Sequence, residues 1–346
     1  MNFNDPVPPD LSDCEELNSY LTRATSPPAV PSPSEMGRMT DSELETLNER
    51  RSTWFDRDLT LKTGVVSGAL LKARVALRSN RRSPIGRKGV IVSGEATTGK
   101  TKAVAAVMQT MHTKFRHDCP DTWTAATPIA YVTVPPESTR RALMLRLADF
   151  YRIDVGKRAS ADELWLLVRN EMRVHRTVLV VVDELQNLTM DRDGAISVDT
   201  LKDLSNSSAA TFVYVGIKVS TTKLLAGDRG RQIAGRVSGV TALPYRNATD
   251  ADRQVWHHLI EGFAMALPLA ANDPQQLVDQ AEWLFTSTHG YIGSLAWMLS
   301  QAVDELVFAD DPAAETVTRD LLEQMVLSEA AQPEVRTGEN PMELVL

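Results

Sequence analysis

Residues Gly94-Glu95-Ala96-Thr97-Thr98-Gly99-Lys100-Thr101 spell the pattern G-x-x-x-x-G-K-[ST]. Glycines at both ends allow a loop to wrap its backbone N–H groups around a phosphate. A helix that starts at the end of the loop adds partial positive charge. In this pattern Lys100 reaches the β- and γ-phosphates of a bound nucleotide and the Thr101 hydroxyl holds Mg²⁺. Hydrolysis also needs carboxylates. About eighty residues further on, the apolar run "VLVVVDE" ends in Asp183 and Glu184. Asp183 is placed to orient the water shell of Mg²⁺, and Glu184 to take a proton from the attacking water. An acidic pair at this distance from the loop points to turnover rather than storage of a nucleoside triphosphate.

Such a site needs a strand before the loop, a helix after it and a second strand to carry the acidic pair. The chain supplies them from Gly89 onward. "GVIVS" reads as a buried strand and "KTKAVAAVMQTMHTKF" as a helix. "PIAYVTVP" and "STRRALMLRLADFY" form the next strand and helix. Ser160 and Glu163 cap another helix. "TVLVVVDE" is a continuous apolar run, as expected of a central strand covered on both faces. A helix near Val198–Ser205, the strand "TFVYVGI" and a short fifth strand within "GVTALPY" complete the series. This alternation predicts an α/β fold: a P-loop NTPase core with a parallel sheet flanked by helices.

Outside that core the pattern changes. Residues 1–39, with "PVPP" and "SPPAVPSPS", are expected to form a disordered, acidic, proline-rich tail. Residues 40–248 are expected to form the core together with two N-terminal helices, the first opened by a capping box at Thr40 and Glu43 over about Asp41–Phe55, the second running from about Leu61 to Leu77. Four helical patterns follow, "DADRQVWHHLIEGFAMAL", "PQQLVDQAEWLFTST", "IGSLAWMLSQAVDELVF" and "AETVTRDLLEQMVLSEA". They predict an all-α lid domain over residues 249–330, with a loose tail at 331–346. No apolar run is long enough for a membrane span. Cys14 and Cys119, the two cysteines, have no metal-ligand spacing and fit a reducing cytoplasm.

The formal net charge of −8 conceals a strong asymmetry. Residues 1–60 carry 5 Lys+Arg against 12 Asp+Glu, residues 61–248 carry 29 against 16, and residues 249–346 carry 3 against 17. A basic middle between acidic ends implies a polyanionic partner for the middle. Between Leu61 and Gly94 there is no Asp or Glu, while Lys62, Lys72, Arg74, Arg78, Arg81, Arg82, Arg87 and Lys88 are present. With Arg140 and Arg141, which open the helix after the second strand, Arg78, Arg81 and Arg82 are the candidate contacts to DNA phosphates. Binding through them would be salt-sensitive and largely independent of sequence. No module for reading bases is evident.

The loop "GEATTGKT", "VVDELQNL", "VYVGIKVSTTKLLAGDRGRQIAGRV", "PYRN…LIEGFAMALPL" and "THGYIGSLAWML" occur in an order and spacing that resembles the transposition-helper AAA+ ATPases of the TniB, TnsC and MuB type, over roughly Leu59 to Glu329. The resemblance implies an ATPase that forms an ATP-dependent homo-oligomer or filament on double-stranded DNA and directs a transposase or integrase to its target. It also implies a bacterial, nucleoid-associated location. By this match Arg236 is the arginine that reaches into the neighbouring subunit's ATP, with Arg231 the nearest competitor. Two positions depart from the pattern. Ile217 stands where a polar sensor of the γ-phosphate is usual, with Lys218 or Ser220 as substitutes, and the lid helix after Gly293 offers Ser294 and Trp297 in place of an arginine. Slow or partner-dependent hydrolysis fits both departures. An origin-recognition or helicase-loader ATPase, a defence-associated ATPase of the same architecture, and a nucleotide-gated interaction module with little turnover are the alternatives.

Overall fold

The computed structural model describes residues 9–23, 25–83, 85–188, 192–217, 219, 235–309 and 311–325, with the side chains of 192–199 excepted. In chain order the helices and strands are α1 (Cys14–Thr22), α2 (Pro33–Met36), α3 (Asp41–Thr53), α4 (Gly64–Arg82), β1 (Gly89–Gly94), α5 (Lys100–Asp118), β2 (Ile129–Thr133), α6 (Arg140–Phe150), α7 (Ala161–Val174), β3 (Leu179–Asp183), α8 (Arg192–Ser207), β4 (Thr211–Gly216) and β5 (Val237–Ala242). The helical remainder is α9 (Asp250–Ala266), α10 (Pro274–Val278), α11 (Ala281–Thr288), α12 (Ile292–Val307) and α13 (Arg319–Glu323). These elements make two compact units. One comprises residues 1–23, 64–95 and 100–242; the other comprises 24–63, 96–99 and 243–346.

The first unit is built on a five-stranded sheet in the order β2-β3-β4-β1-β5, with every pairing parallel. All six residues of β1 and of β4 are buried, as are Leu179–Val182 of β3. Burial on alternate sides at once requires cover on both faces, which explains the unbroken apolar runs. The register sets Val92 beside Val215 and Val182 beside Tyr214, so β1, β4 and β3 end at one edge.

The N-terminal segment departs from the expected disordered tail. Asp13 caps α1 by accepting from the N–H groups of Glu15 and Glu16, and Cys14, Leu17 and Leu21 are buried in the core of the first unit. Arg152 clamps the start of the helix, donating to both carboxylate oxygens of Asp13 at 2.7 and 2.9 Å and pairing with Glu15 at 2.6 Å. Cys14, Leu17, Tyr20 and Leu21 fall at helical spacing, but over only nine residues between proline-rich flanks. Their burial depends on partners more than ninety residues away, so the proline-rich composition around them dominates a sequence reading.

The second unit corrects another expectation. Helix α3, capped by the foreseen Thr40–Glu43 box, packs here and not with the sheet. Phe55, on a π-helical turn after α3, joins Trp256, Ile260, Phe263, Leu295 and Leu299 in one core. Arg51 of α3 is fully buried. It donates to the two Glu315 carboxylate oxygens at 2.6 and 2.9 Å, to Pro268 O at 3.1 Å, and to Asn48 Oδ1. The sequence hides this, because the two buried positions of α3 are Asn48 and Arg51, both polar, and the Arg51 partner lies 264 residues on. The pattern "PQQLVDQAEWLFTST" is two helices, since Asp279 N turns back to Gln275 O and closes α10. The pattern "AETVTRDLLEQMVLSEA" is helical at α13, where Thr318 caps Leu321 N. The expected tail at 331–346 lies outside the described residues.

Candidate nucleotide site

Glu95 follows β1 at its C-terminal edge, and Lys100 opens α5. Thr97 and Gly99 both adopt positive φ, 58° and 88°. Glycine takes this conformation freely, whereas Thr97 is held in it. The Lys100 ammonium turns back to donate to Glu95 O. Burial holds the Lys100 basicity below its usual value, while the negative charges of Asp183, Glu184 and Glu95 act in the opposite sense. Lys100, Asp183 and Glu184 therefore share one electrostatic neighbourhood within the first unit.

Asp183 is fixed from two sides. Its Oδ2 accepts from the Tyr131 hydroxyl at 2.7 Å, and its Oδ1 from Glu184 N at 2.8 Å. Burial, with the Asp183 charge beside it, pushes the Tyr131 phenol up and keeps it a donor. Glu184 has φ 56°, a left-handed conformation that strains a non-glycine residue by roughly 1–3 kcal/mol. Its carboxylate accepts from Gln186 Nε2, and Gln186 Oε1 accepts from Ile217 N at 2.9 Å. Ile217 thus has an apolar side chain, yet its backbone amide is tied to Glu184 through one glutamine. Gly216 makes this possible, since a Cβ there would lie 2.3 Å from Gln186 Oε1. Tyr131 and Gln186 were not singled out from sequence. Only the "Q" of "DELQNL" carries a signal, and it has no fixed meaning without the neighbouring strand.

In the second unit the loop residues Ala96–Gly99 lie with the start of α12. Gly293 N donates to Thr97 O at 2.7 Å, and a Cβ on Gly293 would stand 2.8 Å from Thr97 Cα, Cβ and O. Backbone meets backbone here, and no side chain fits. The Thr97 hydroxyl is buried with no hydrogen-bond partner.

The residues fit a magnesium nucleotide. Thr101 and Asp183 present hydroxyl and carboxylate oxygens, the hard donors that Mg²⁺ takes, and Thr97 Oγ1 is an unsatisfied polar atom inside the loop. Among the described residues no cluster of His, Cys, Asp and Glu forms a metal site of its own.

Arg236 is placed elsewhere. It precedes β5, and its carbonyl accepts from Gly89 N at 3.0 Å at the start of β1. That is the end of the strand opposite Gly94, about 16 Å away along five residues of β1. Arg236 cannot serve the loop of its own chain. Arg231, Lys218 and Ser220 lie outside the described residues.

The arginines named for DNA divide into two sets. Arg78, Arg81 and Arg82 are exposed on α4, on a face shared with Arg74 and the exposed Leu71 and Val75. Arg140 instead pairs with Asp162 at 2.6 Å, and Arg141 donates to Ala159 O and Lys157 O at 3.0 and 3.2 Å. These two arginines brace the start of α6 against the turn before α7. Among the described residues no helix is long and apolar enough to cross a membrane.

No curated protein matches the sequence. Residues 85–225 match a family described as an AAA domain. Among solved structures, the Aeropyrum pernix ORC1 protein in complex with DNA is similar with a TM-score of 0.55 at 15% identity, over 74% of this chain and 63% of that one. The A. pernix ORC2 protein in ADPNP–ADP complexes gives 0.56 at 16%, over 79% and 70%. The Pyrobaculum aerophilum CDC6P protein gives 0.50 at 17%, over 76% and 65%. The chain therefore spans less than two thirds of the ORC1 protein it resembles. These likenesses establish the fold: a parallel five-stranded sheet flanked by helices, with a helical C-terminal region, as in AAA+ P-loop ATPases.

Proposed function

We propose that the chain is an AAA+ ATPase that binds duplex DNA, assembles with copies of itself when loaded with ATP, and positions a partner protein there, in the manner of an origin-recognition or helicase-loading ATPase. The observation that carries this reading is the gathering of Lys100, Asp183 and Glu184 at one edge of the sheet, with Arg236 at the other. The solved relatives described as bound to DNA and to ADPNP and ADP support it.

Thr101 and Asp183 would hold Mg²⁺, which offsets charge on the β- and γ-phosphates. Lys100 binds the same phosphates. Glu184 takes a proton as the water oxygen bonds to the γ-phosphorus. The bridging P–O bond breaks, leaving ADP and phosphate. Tyr131 holds Asp183 in place by its hydroxyl, and Gln186 orients Glu184. Lys100→Ala is expected to abolish ATP binding, and Glu184→Gln to keep binding and lose turnover by roughly 10²–10⁴-fold. Parental turnover in Glu184→Gln removes the assigned base.

Duplex binding is assigned to the exposed α4 arginines and is tested by titrating random duplexes at rising salt. Each phosphate contact should contribute about −0.9 to the slope of log affinity against log salt. Affinity that is flat with salt, or absent at low salt with ATP, rejects the DNA assignment.

A transposase or integrase as the partner is the second reading. The observation that favours it is the Gly290-x-Ile292-Gly293 start of α12, whose Gly293 has no room for a side chain. This matches the TniB-type lid, where other lids carry an arginine. An integrase-like transposase gene beside this one supports that partner, and a replicative helicase gene supports the first.

A further inference from the structure

Asp183, the carboxylate named for Mg²⁺, is immobilised at three points. Its carbonyl accepts from Val134 N at 2.9 Å, its Oδ1 from Glu184 N at 2.8 Å and its Oδ2 from the Tyr131 hydroxyl at 2.7 Å. Two of these donors are backbone amides, which the fold supplies whatever the side chains. The third depends on which side chain β2 carries. Thr133 stands directly opposite Asp183 in the register of this edge strand, and Tyr131 lies two residues back, on the same face. Across that diagonal only a long side chain spans the gap, and the phenol does. Its bond is short and charge-assisted, the kind that fixes a carboxylate in direction as well as position.

We propose that Tyr131 is a positioning residue that makes the site select Mg²⁺ over Ca²⁺, by holding the Asp183 carboxylate where the smaller ion needs it. The proposal rests on the ATPase reading and deepens it, from which residues meet the ion to which ion they accept. Size and rigidity decide the preference. Mg²⁺ requires near-ideal octahedral oxygens at about 2.0–2.1 Å and keeps several waters, so one fixed carboxylate suits it. Ca²⁺ takes about 6–8 oxygens at roughly 2.3–2.6 Å in flexible geometry. A carboxylate tied at both oxygens is hindered from retreating before the larger ion and from turning to chelate it. Neighbours do not supply the extra oxygens either. Among the described residues no three His, Cys, Asp or Glu side chains gather into a metal site. Without the phenol hydroxyl, Glu184 N is the one tether named here that still holds the carboxylate, which can then turn about it.

The test uses the full chain and a fluorescent, non-hydrolysable ATP analogue. Its affinity is measured in saturating MgCl₂, in saturating CaCl₂ and in EDTA, so the readout is binding and not turnover. The gain in affinity over EDTA reports how well the site accepts each ion. In the parent the Mg²⁺ gain should exceed the Ca²⁺ gain. Tyr131→Phe keeps the ring and removes the hydroxyl. It should lower the Mg²⁺ gain about tenfold, the low end of the roughly 10–100-fold lost when a group that orients a metal ligand is removed. The Ca²⁺ gain and the affinity in EDTA should each stay within about twofold of the parent, since a flexible site and the loop itself do not depend on the fixed carboxylate. Asp183→Asn should lose both gains, because it removes the ligand. If both gains fall alike in Tyr131→Phe, or neither falls, the phenol selects no ion and the inference is overturned. If the affinity in EDTA falls as far as that in Mg²⁺, the phenol only supports the strand, which overturns it too. A parent that binds the analogue equally well in EDTA and in both salts rejects the magnesium site itself. That result concerns the parent alone, so failure of the ATPase reading is distinguished from failure of the role given to Tyr131.

Discussion

Gln186 holds the Glu184 carboxylate through Nε2 while its Oε1 accepts from Ile217 N, so a single side chain joins the end of β3 to the end of β4. The bond to Glu184 is charge-assisted and directional, and it acts on a residue already held at positive φ. Removing it frees the carboxylate to rotate. Gln186→Ala should lower kcat about tenfold, part of the 10²–10⁴ that a positioned base contributes, with KM for ATP unchanged. Gly216→Ala should behave alike, since its Cβ would displace the same amide. Steady-state kinetics of both variants check this, and a change confined to KM would contradict it.

Gly293 bears on the phosphate loop through its backbone alone. In Gly293→Ala the new methyl would sit 2.8 Å from three atoms of Thr97, two of them backbone, so the loop segment must shift. Weaker ATP binding, by tenfold or more, is expected from a displacement that misaligns the N–H groups of the loop. Calorimetric titration with ATP measures it. Parental affinity would show that the loop accommodates the methyl without moving.

The buried Arg51–Glu315 pair should dominate the stability of the second unit. Glu315 also accepts from Ala270 N at 2.7 Å, so its loss strands both a guanidinium and an amide. Glu315→Ala is expected to destabilise by about 3–5 kcal/mol, the range for breaking a buried pair from one side. Replacing both partners, as Arg51→Met with Glu315→Leu, should be far milder. Urea unfolding of the three proteins separates these outcomes.

His112 gives the first unit a pH dependence. Its Nε2 lies 2.8 Å from Asn18 Oδ1 on α1, and its Nδ1 is buried without a partner. Burial, reinforced by the nearby Arg116 charge, lowers its pKa from 6.5 to about 4. Between those values the unfolded chain binds the proton that the folded one refuses. Stability is therefore complete above pH 6.5 and falls as the pH drops to about 4, by up to about 3 kcal/mol. His112→Gln keeps a donor for Asn18 and should flatten the stability profile between pH 6.5 and 4. An unchanged profile would assign the acid sensitivity elsewhere.

The phosphate loop, the apolar strands and the capping boxes at Thr40 and Ser160 were legible in the amino-acid order, because each depends on residues within a few positions of one another. The same holds for Asp183 and Glu184, whose place at a strand end follows from the apolar run before them. Long-range packing decided the rest. The burial of α1 awaited His112 and Arg152, α3 joined the second unit through a partner more than 260 residues away, and Arg140 and Arg141 were drawn into braces by Asp162 and two carbonyls. The register of β5 on β1 put Arg236 at the far edge of the sheet beside Arg87 and Lys202. A local pattern states which groups a segment offers. Which of them meet depends on the order of parallel strands, set by the burial of the whole sheet and encoded in no single stretch of the chain.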